Sequence, residues 1–171
     1  GYPGAGKSTY IKSISREFRA ATIDADIAKE LVPGYDGGKG SQRVHNESAA
    51  LRNAAQAKME QAGSNLIVER IGDSEESITK AIDALKAQNY SVYMIHVGVS
   101  PDEAVRRSTN RYLETGRSIA PSYMERMAGK VPPVVEKLVD YKPLSGYADI
   151  DAEGPRETAK IIRQGGDSEK L

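Results

Sequence analysis

The residues at the head of the sequence carry the most pointed chemistry. Gly1-Tyr2-Pro3-Gly4-Ala5-Gly6-Lys7-Ser8 fits the spacing GxxxxGK(S/T), and each part of that pattern has its own physical job. Gly4 and Gly6 let the backbone N–H groups around Ala5 curve about an anion with no Cβ in the way. Lys7 brings a mobile positive charge to the β- and γ-phosphates of ATP, and the Ser8 hydroxyl can ligate Mg²⁺. Thr9 completes the nucleotide-binding set, because it opens a segment in which Ile11, Ile14 and Phe18 recur at helical spacing. A glycine loop entering a helix is the context that this chemistry needs.

Phosphoryl transfer requires positioning, charge neutralisation and a base for the acceptor's proton. Asp26 is the leading base, read as the end of a short strand that begins at Ala20, with Asp24 two residues earlier on the same strand face. The structural alternative for this acidic pair is a cap for a helix over residues 27–31. Glu69 closes the next strand and could orient substrate or Mg²⁺-bound water, with an arginine ion pair as the alternative. Arg107 and Arg111 are four apart and share a helical face, with Arg106 turned aside. Arg117 follows in a glycine-containing loop. Such guanidinium groups, reaching over a nucleotide as a lid does, would neutralise the transferring phosphoryl. Pairing with Glu103 or Glu114 is the structural alternative for Arg107 and Arg111. His45 and His96 lack metal-ligand partners at useful spacing, and His96 reads as a satisfied strand residue.

The positioning elements follow from periodicity. Helices are expected over residues 44–61, 74–88, 101–115, 121–140 and 155–164, with Pro132 and Pro133 bending or splitting the fourth. Alanines 49, 50, 54, 55 and 57 are expected to let the first of these pack closely on a sheet. Strands are expected over 65–69, 91–97 and 146–151. Strands alternating with helices predict an α/β, three-layer P-loop fold with a mostly parallel sheet, whose ligands bind at the C-terminal strand ends. A P-loop normally hangs from a buried strand, so a hydrophobic strand is expected before Gly1. The domain is expected over 1–164, with a flexible tail at 165–171.

Composition sets the outer bounds. The 171 residues suffice for one domain with a proper core. Basic and acidic residues balance at 24 each, so no global field draws the chain to nucleic acid or membrane. The absence of cysteine excludes disulfides and thiolate metal sites. No apolar run approaches the roughly 20 residues of a membrane span, and the default expectation is a cytoplasmic protein.

With these parts assembled, the chain resembles the zeta-toxin family of P-loop kinases over nearly its whole length. The resemblance rests on GYPGAGKST, IDAD, VHNESAAL, NLIVE, PDEAVRRSTNRYLETGRSIAP and GYADIDAEG. It implies transfer of the ATP γ-phosphate to UDP-N-acetylglucosamine, and an antitoxin partner. By position it implies that Lys7 holds phosphates, Ser8 magnesium, and that Asp26 is the base. Arg111 and Arg117 would stabilise the transferring phosphoryl, and Glu47 would bind substrate. The alternative for Glu47 is a carboxylate stabilising a helix N-terminus. One segment departs. The family commonly has an acidic residue followed by Gly-Thr-Gly, where this chain has Glu69-Arg70-Ile71-Gly72. Ile71 removes a hydroxyl expected at the sugar nucleotide, and Arg70 adds bulk and charge. A nucleoside, dinucleotide or polynucleotide 5′ end therefore stays open as the acceptor, and so does a nucleotide-binding module with degraded catalysis.

Overall fold

Strand and helix alternate along the chain as the hydrophobic periods require. The computed structural model describes residues 1–35, 43–116 and 119–167. In order the elements are α1 (Lys7–Glu17), β1 (Ala21–Ile23), α2 (Ala25–Glu30), α3 (His45–Gln61), β2 (Leu66–Val68) and α4 (Glu75–Ala87). They continue with β3 (Tyr93–Gly98), α5 (Pro101–Thr115), α6 (Pro121–Val139), β4 (Gly146–Asp151) and β5 (Lys160–Gly166). The contacts define two compact units.

The first unit holds Gly1–Lys7, Ile71–Arg107 and the described residues from Ile119 onward. Its sheet pairs β3 with β4 in parallel, from Tyr93↔Gly146 to Gly98↔Asp151. The long crossover that a parallel pair demands contains α5 and α6. The core is built from Tyr2, Ala104, Met124, Met127, Val131 and Val135, all buried, with Ile71 and Val99 packed against them. Four of these core residues come from α6, which is not split by its prolines. The helix runs through Pro132 and Pro133 although each costs about 3 kcal/mol in a helix interior. The stripe Met124, Met127, Val131, Val135 and Leu138, buried at three- and four-residue intervals, outweighs that penalty.

The second unit holds Ser8–Arg70 and the end of α5. Here β1 and β2 pair in parallel, with Ala21↔Leu66, Thr22↔Ile67 and Ile23↔Val68 in register, and α2 packs against α3. The alanines of α3 do not form a packing face as expected. Ala50, Ala54, Ala55 and Ala57 are exposed, and Ser48 is the helix's buried residue. Alanine contributes helix propensity there, because it loses no side-chain entropy on ordering.

Two expectations are corrected. Residues 155–164 do not form a helix. One short 3₁₀ turn (Arg156–Thr158) is followed by β5, antiparallel to β4 from Asp151↔Lys160 to Gly146↔Gly166. Pairing with the β4 edge overrides a weak local helix preference. Gly165 and Gly166, read as the start of a tail, thus belong to a strand, and residues 168–171 lie outside the described residues. The acidic run after β1 is also not extended. The strand stops at Ile23 and Asp24 caps α2.

The buried stripe of α6 gives a direct check. Met127 is 2% exposed. Met127→Ala should destabilise the protein by about 2–5 kcal/mol, read as a lower midpoint in urea or thermal unfolding.

Candidate functional site

The loop Gly1–Lys7 is held by contacts on its outer side. Tyr2 is buried and its hydroxyl donates to the Val99 carbonyl, while burial, with Glu153 adding to it, pushes the phenol pKa up. The Ala5 N–H donates to the Tyr2 carbonyl at 3.2 Å and closes a turn. Gly4 (φ +84°) and Gly6 (φ +88°) both have left-handed backbone. A Cβ on Gly4 would sit 2.6 Å from the Ala104 carbonyl oxygen, and one on Gly6 would sit 3.1 Å from Arg107 Nη1. The glycines therefore serve close packing on α5 as well as curvature. Lys7 folds its ammonium back over the loop, donating to the carbonyls of Gly1 (2.8 Å) and Tyr2 (3.3 Å). Ser8, exposed, and Thr9 lie in the first turn of α1, which contains no acidic residue to offset the helix's positive end.

Arg107 is the most heavily engaged side chain beside the loop. Its guanidinium donates to the Ala5 carbonyl (3.2 Å), the Ala152 carbonyl (2.6 Å), the Gly154 carbonyl (2.9 Å) and the Glu103 carboxylate (2.6 Å). The lid role expected for Arg107 gives way to this bracket, in which its four-residue spacing from Glu103 shows up as an ion pair. Arg106 pairs with the same carboxylate, and the two guanidiniums lower the Glu103 pKa to about 2. Ser100 caps α5 by accepting from the Glu103 N–H, and its own N–H and hydroxyl donate to Glu153 at 2.7 and 2.8 Å. Sequence reasoning missed Ser100 and Glu153. Only the serine just before Pro101-Asp102-Glu103 signalled a cap.

The second group of expected residues gathers at the C-terminal edge of β1 and β2. Because Ile23 and Val68 are in register, Asp24 and Glu69 leave the two strands side by side, and the Glu69 N–H donates to the Ile23 carbonyl at 3.2 Å. Asp24 accepts from the Asp26 N–H at 2.8 Å as the N-cap of α2, which commits its carboxylate to structure. Asp26 does not end the strand as expected. It lies in the first turn of α2, partly exposed, with Lys29 Nζ 3.2 Å from Oδ1. Arg70 is half-buried, and its pKa is lowered first by burial and then by the charge of Arg52 on α3. Glu47 is exposed in the first turn of α3, a helix that Val44 opens without a side-chain cap. Arg111 is exposed, one turn beyond Arg107 on α5, and Arg117 lies outside the described residues. The fold thus brings Gly4, Ala5, Gly6 and Lys7 together in the first unit, and Asp26, Glu69 and Arg70 together in the second.

His96, read as a satisfied strand residue, is satisfied at one ring nitrogen. Its Nδ1 lies 2.7 Å from Asp149 Oδ1, and Nε2 is buried with no hydrogen-bond partner among the described residues. Burial lowers the His96 pKa, and Arg163 bridges Asp149 to Glu136. Among the described residues, no group of three or more His, Cys, Asp or Glu could hold a metal ion. No helix among them is long and apolar enough to cross a membrane.

A family profile described as Zeta toxin matches residues 1–148. Among solved structures, the chain is similar to one reported in the molecular and structural characterisation of the PezAT chromosomal toxin–antitoxin system of Streptococcus pneumoniae. The TM-score is 0.75 at 18% identity, covering 100% of this chain and 70% of that one. At that identity the likeness shows a shared fold. No curated protein matches the chain.

Gly4→Ala should cost at least about 1–2 kcal/mol of stability from the left-handed backbone alone, seen as a lower melting temperature, because the new methyl also meets the Ala104 carbonyl. Glu103 supplies a pH test. Its folded pKa is depressed, so the stability it contributes is complete above the ordinary carboxylate value and is lost as pH falls from 4.5 toward 2. Unfolding midpoints should fall less steeply across that window in Glu103→Gln than in the wild type.

Proposed function

The chain belongs to the zeta-toxin family, and on that premise we propose that it is an ATP-dependent kinase that transfers the γ-phosphate to a hydroxyl, of the UDP-N-acetylglucosamine kinase type. The supporting observation is the loop itself. Its ammonium rests on two loop carbonyls, Gly4 and Gly6 are left-handed, and the first turn of α1 carries no acidic residue. On this reading Lys7 exchanges the carbonyls of Gly1 and Tyr2 for phosphate oxygens, and the amides from Gly4 to Thr9 hold the nucleotide.

The Ser8 hydroxyl suits Mg²⁺, a cation commonly held by one or two protein oxygens with nucleotide phosphates and water. When bound, the ion offsets charge on the phosphate oxygens. Asp26 takes the proton from the acceptor hydroxyl as its oxygen bonds to the γ-phosphorus and the bond to the ADP oxygen breaks. Asp24 is the poorer base, since its carboxylate caps α2. Arg111 and Arg117 neutralise the transferring phosphoryl, while Glu47 and Glu69 bind the acceptor. A cytoplasmic location and an antitoxin partner belong to the same proposal, the latter supported by the toxin–antitoxin origin of the similar structure.

A second reading concerns the acceptor. Ile71 packs against the core of the first unit, and Arg70 lies half-buried under the influence of Arg52. Arginine charge beside the position where a hydroxyl is expected favours an acceptor with an additional anionic group, such as a dinucleotide or a polynucleotide 5′ end. An acceptor screen with labelled ATP separates the two readings. Labelled UDP-N-acetylglucosamine supports the first, and labelled nucleic-acid ends with that sugar nucleotide untouched replace it with the second. Asp26→Ala should lower kcat by about 10²–10⁴-fold while largely sparing ATP affinity, and unaffected turnover would remove Asp26 as the base. Lys7→Ala should weaken ATP binding itself.

A further inference from the structure

A loop whose amides converge on an anion needs a counterweight while the anion is absent. One residue of α5 ties the outer side of the loop to the segment after β4. Arg107 joins the Ala5 carbonyl, in the middle of the phosphate loop, to the Ala152 and Gly154 carbonyls of the segment after β4. Glu103 orients the guanidinium from within the same helix, and Glu153 fixes that segment to the α5 cap through Ser100. The Ala152 N–H also donates to the Gly98 carbonyl at 2.9 Å, so the segment is anchored at both ends of the bracket. Three backbone carbonyls on one planar fork suit the fixed geometry of arginine, which lysine does not reproduce. The guanidinium also lies where a Cβ on Gly6 would come within 3.1 Å, close beneath the turn of the loop.

We infer that Arg107 is a positioning residue for the donor nucleotide, holding the phosphate loop in its anion-binding shape by pinning Ala5 to the Ala152–Gly154 segment. Its side chain spends its donors on backbone carbonyls and Glu103, so it acts through the loop and does not touch the reacting atoms.

This inference rests on the nucleotide reading of the loop, and the experiment separates the two. Binding of Mg²⁺–ATP is measured calorimetrically for wild type, Arg107→Lys and Arg107→Ala, alongside melting temperature and steady-state kinetics. Absence of ATP binding in the wild type defeats the nucleotide reading itself. With wild-type binding established, Arg107→Lys should melt near the wild type but bind ATP about tenfold or more weakly, the loss expected for hydrogen bonds from a charged donor. Its KM for ATP should rise more than its kcat falls. Guanidinium ion at millimolar concentration should restore part of the affinity of Arg107→Ala. Wild-type ATP affinity in a folded Arg107→Lys overturns the inference. Should both variants fail to fold, Glu103→Gln decides, because it removes the charge that orients the guanidinium while leaving the arginine in place. A raised ATP dissociation constant supports the bracket, and an unchanged one overturns it.

Discussion

A phosphate cradle is a set of amide dipoles aimed at one point, and dipoles so arranged repel one another until an anion arrives. Everything around the loop of this protein bears on that constraint. Carbonyl oxygens of Gly1 and Tyr2 receive the Lys7 ammonium, so the loop's own charge is stored on its own acceptors. On the outer side, the Ala5 carbonyl is held by a guanidinium, which polarises that peptide in the direction that strengthens its binding group. The balance needs a fixed outer wall. One face of the first half of α5 supplies one, with Ala104 inaccessible and Arg107 reaching across.

The wall explains features that phosphate binding alone does not require. Gly4 is needed where the Ala104 carbonyl leaves no room, whatever the loop binds. Tyr2 is buried in the same core as Met127 and Val131, so the loop is continuous with the most tightly packed part of the first unit. Glu103 explains how two arginines can adjoin a loop that must attract phosphate without adding two bare charges. It takes a hydrogen bond from each and stays ionised down to about pH 2. The loop's own positive charge is thus Lys7, while Arg107 is left to do geometry.

Local signals carried most of this into the sequence. The GxxxxGK(S/T) spacing, the Pro101-Asp102-Glu103 helix start and the β-branched run of β3 are each decided by neighbours in the chain, and each was legible. Long-range contacts decided the rest. Residues 160–164 read as a helix end because Ile161 and Ile162 fit either period, and only the open edge of β4 selects the strand. Pro132 and Pro133 signal a break, and only burial of the α6 stripe overrules it. Arg107 shows the limit for the site. Its spacing from Glu103 was visible, but its carbonyl partners lie 45 and 47 residues away in sequence, and no pattern of residue types announces them.

The segment after β2 shows how a donor site and an acceptor site can diverge within one fold. The loop cannot vary much, because Gly4 and Gly6 are each fixed twice, by backbone angle and by the wall behind them. Glu69-Arg70-Ile71-Gly72 is under looser control. Only Gly72, at φ +93°, has a backbone that demands its residue type, and Ile71 has joined the apolar core. A hydroxyl lost to packing removes one hydrogen bond from an acceptor, whereas an arginine gained in a half-buried position adds a positive charge. Charge reaches further than a hydroxyl and discriminates less finely by shape. On the proposed kinase reading, selection of the acceptor therefore shifts from matching a sugar's hydroxyl pattern toward matching its anionic groups, with the phosphate-donor machinery left as it was.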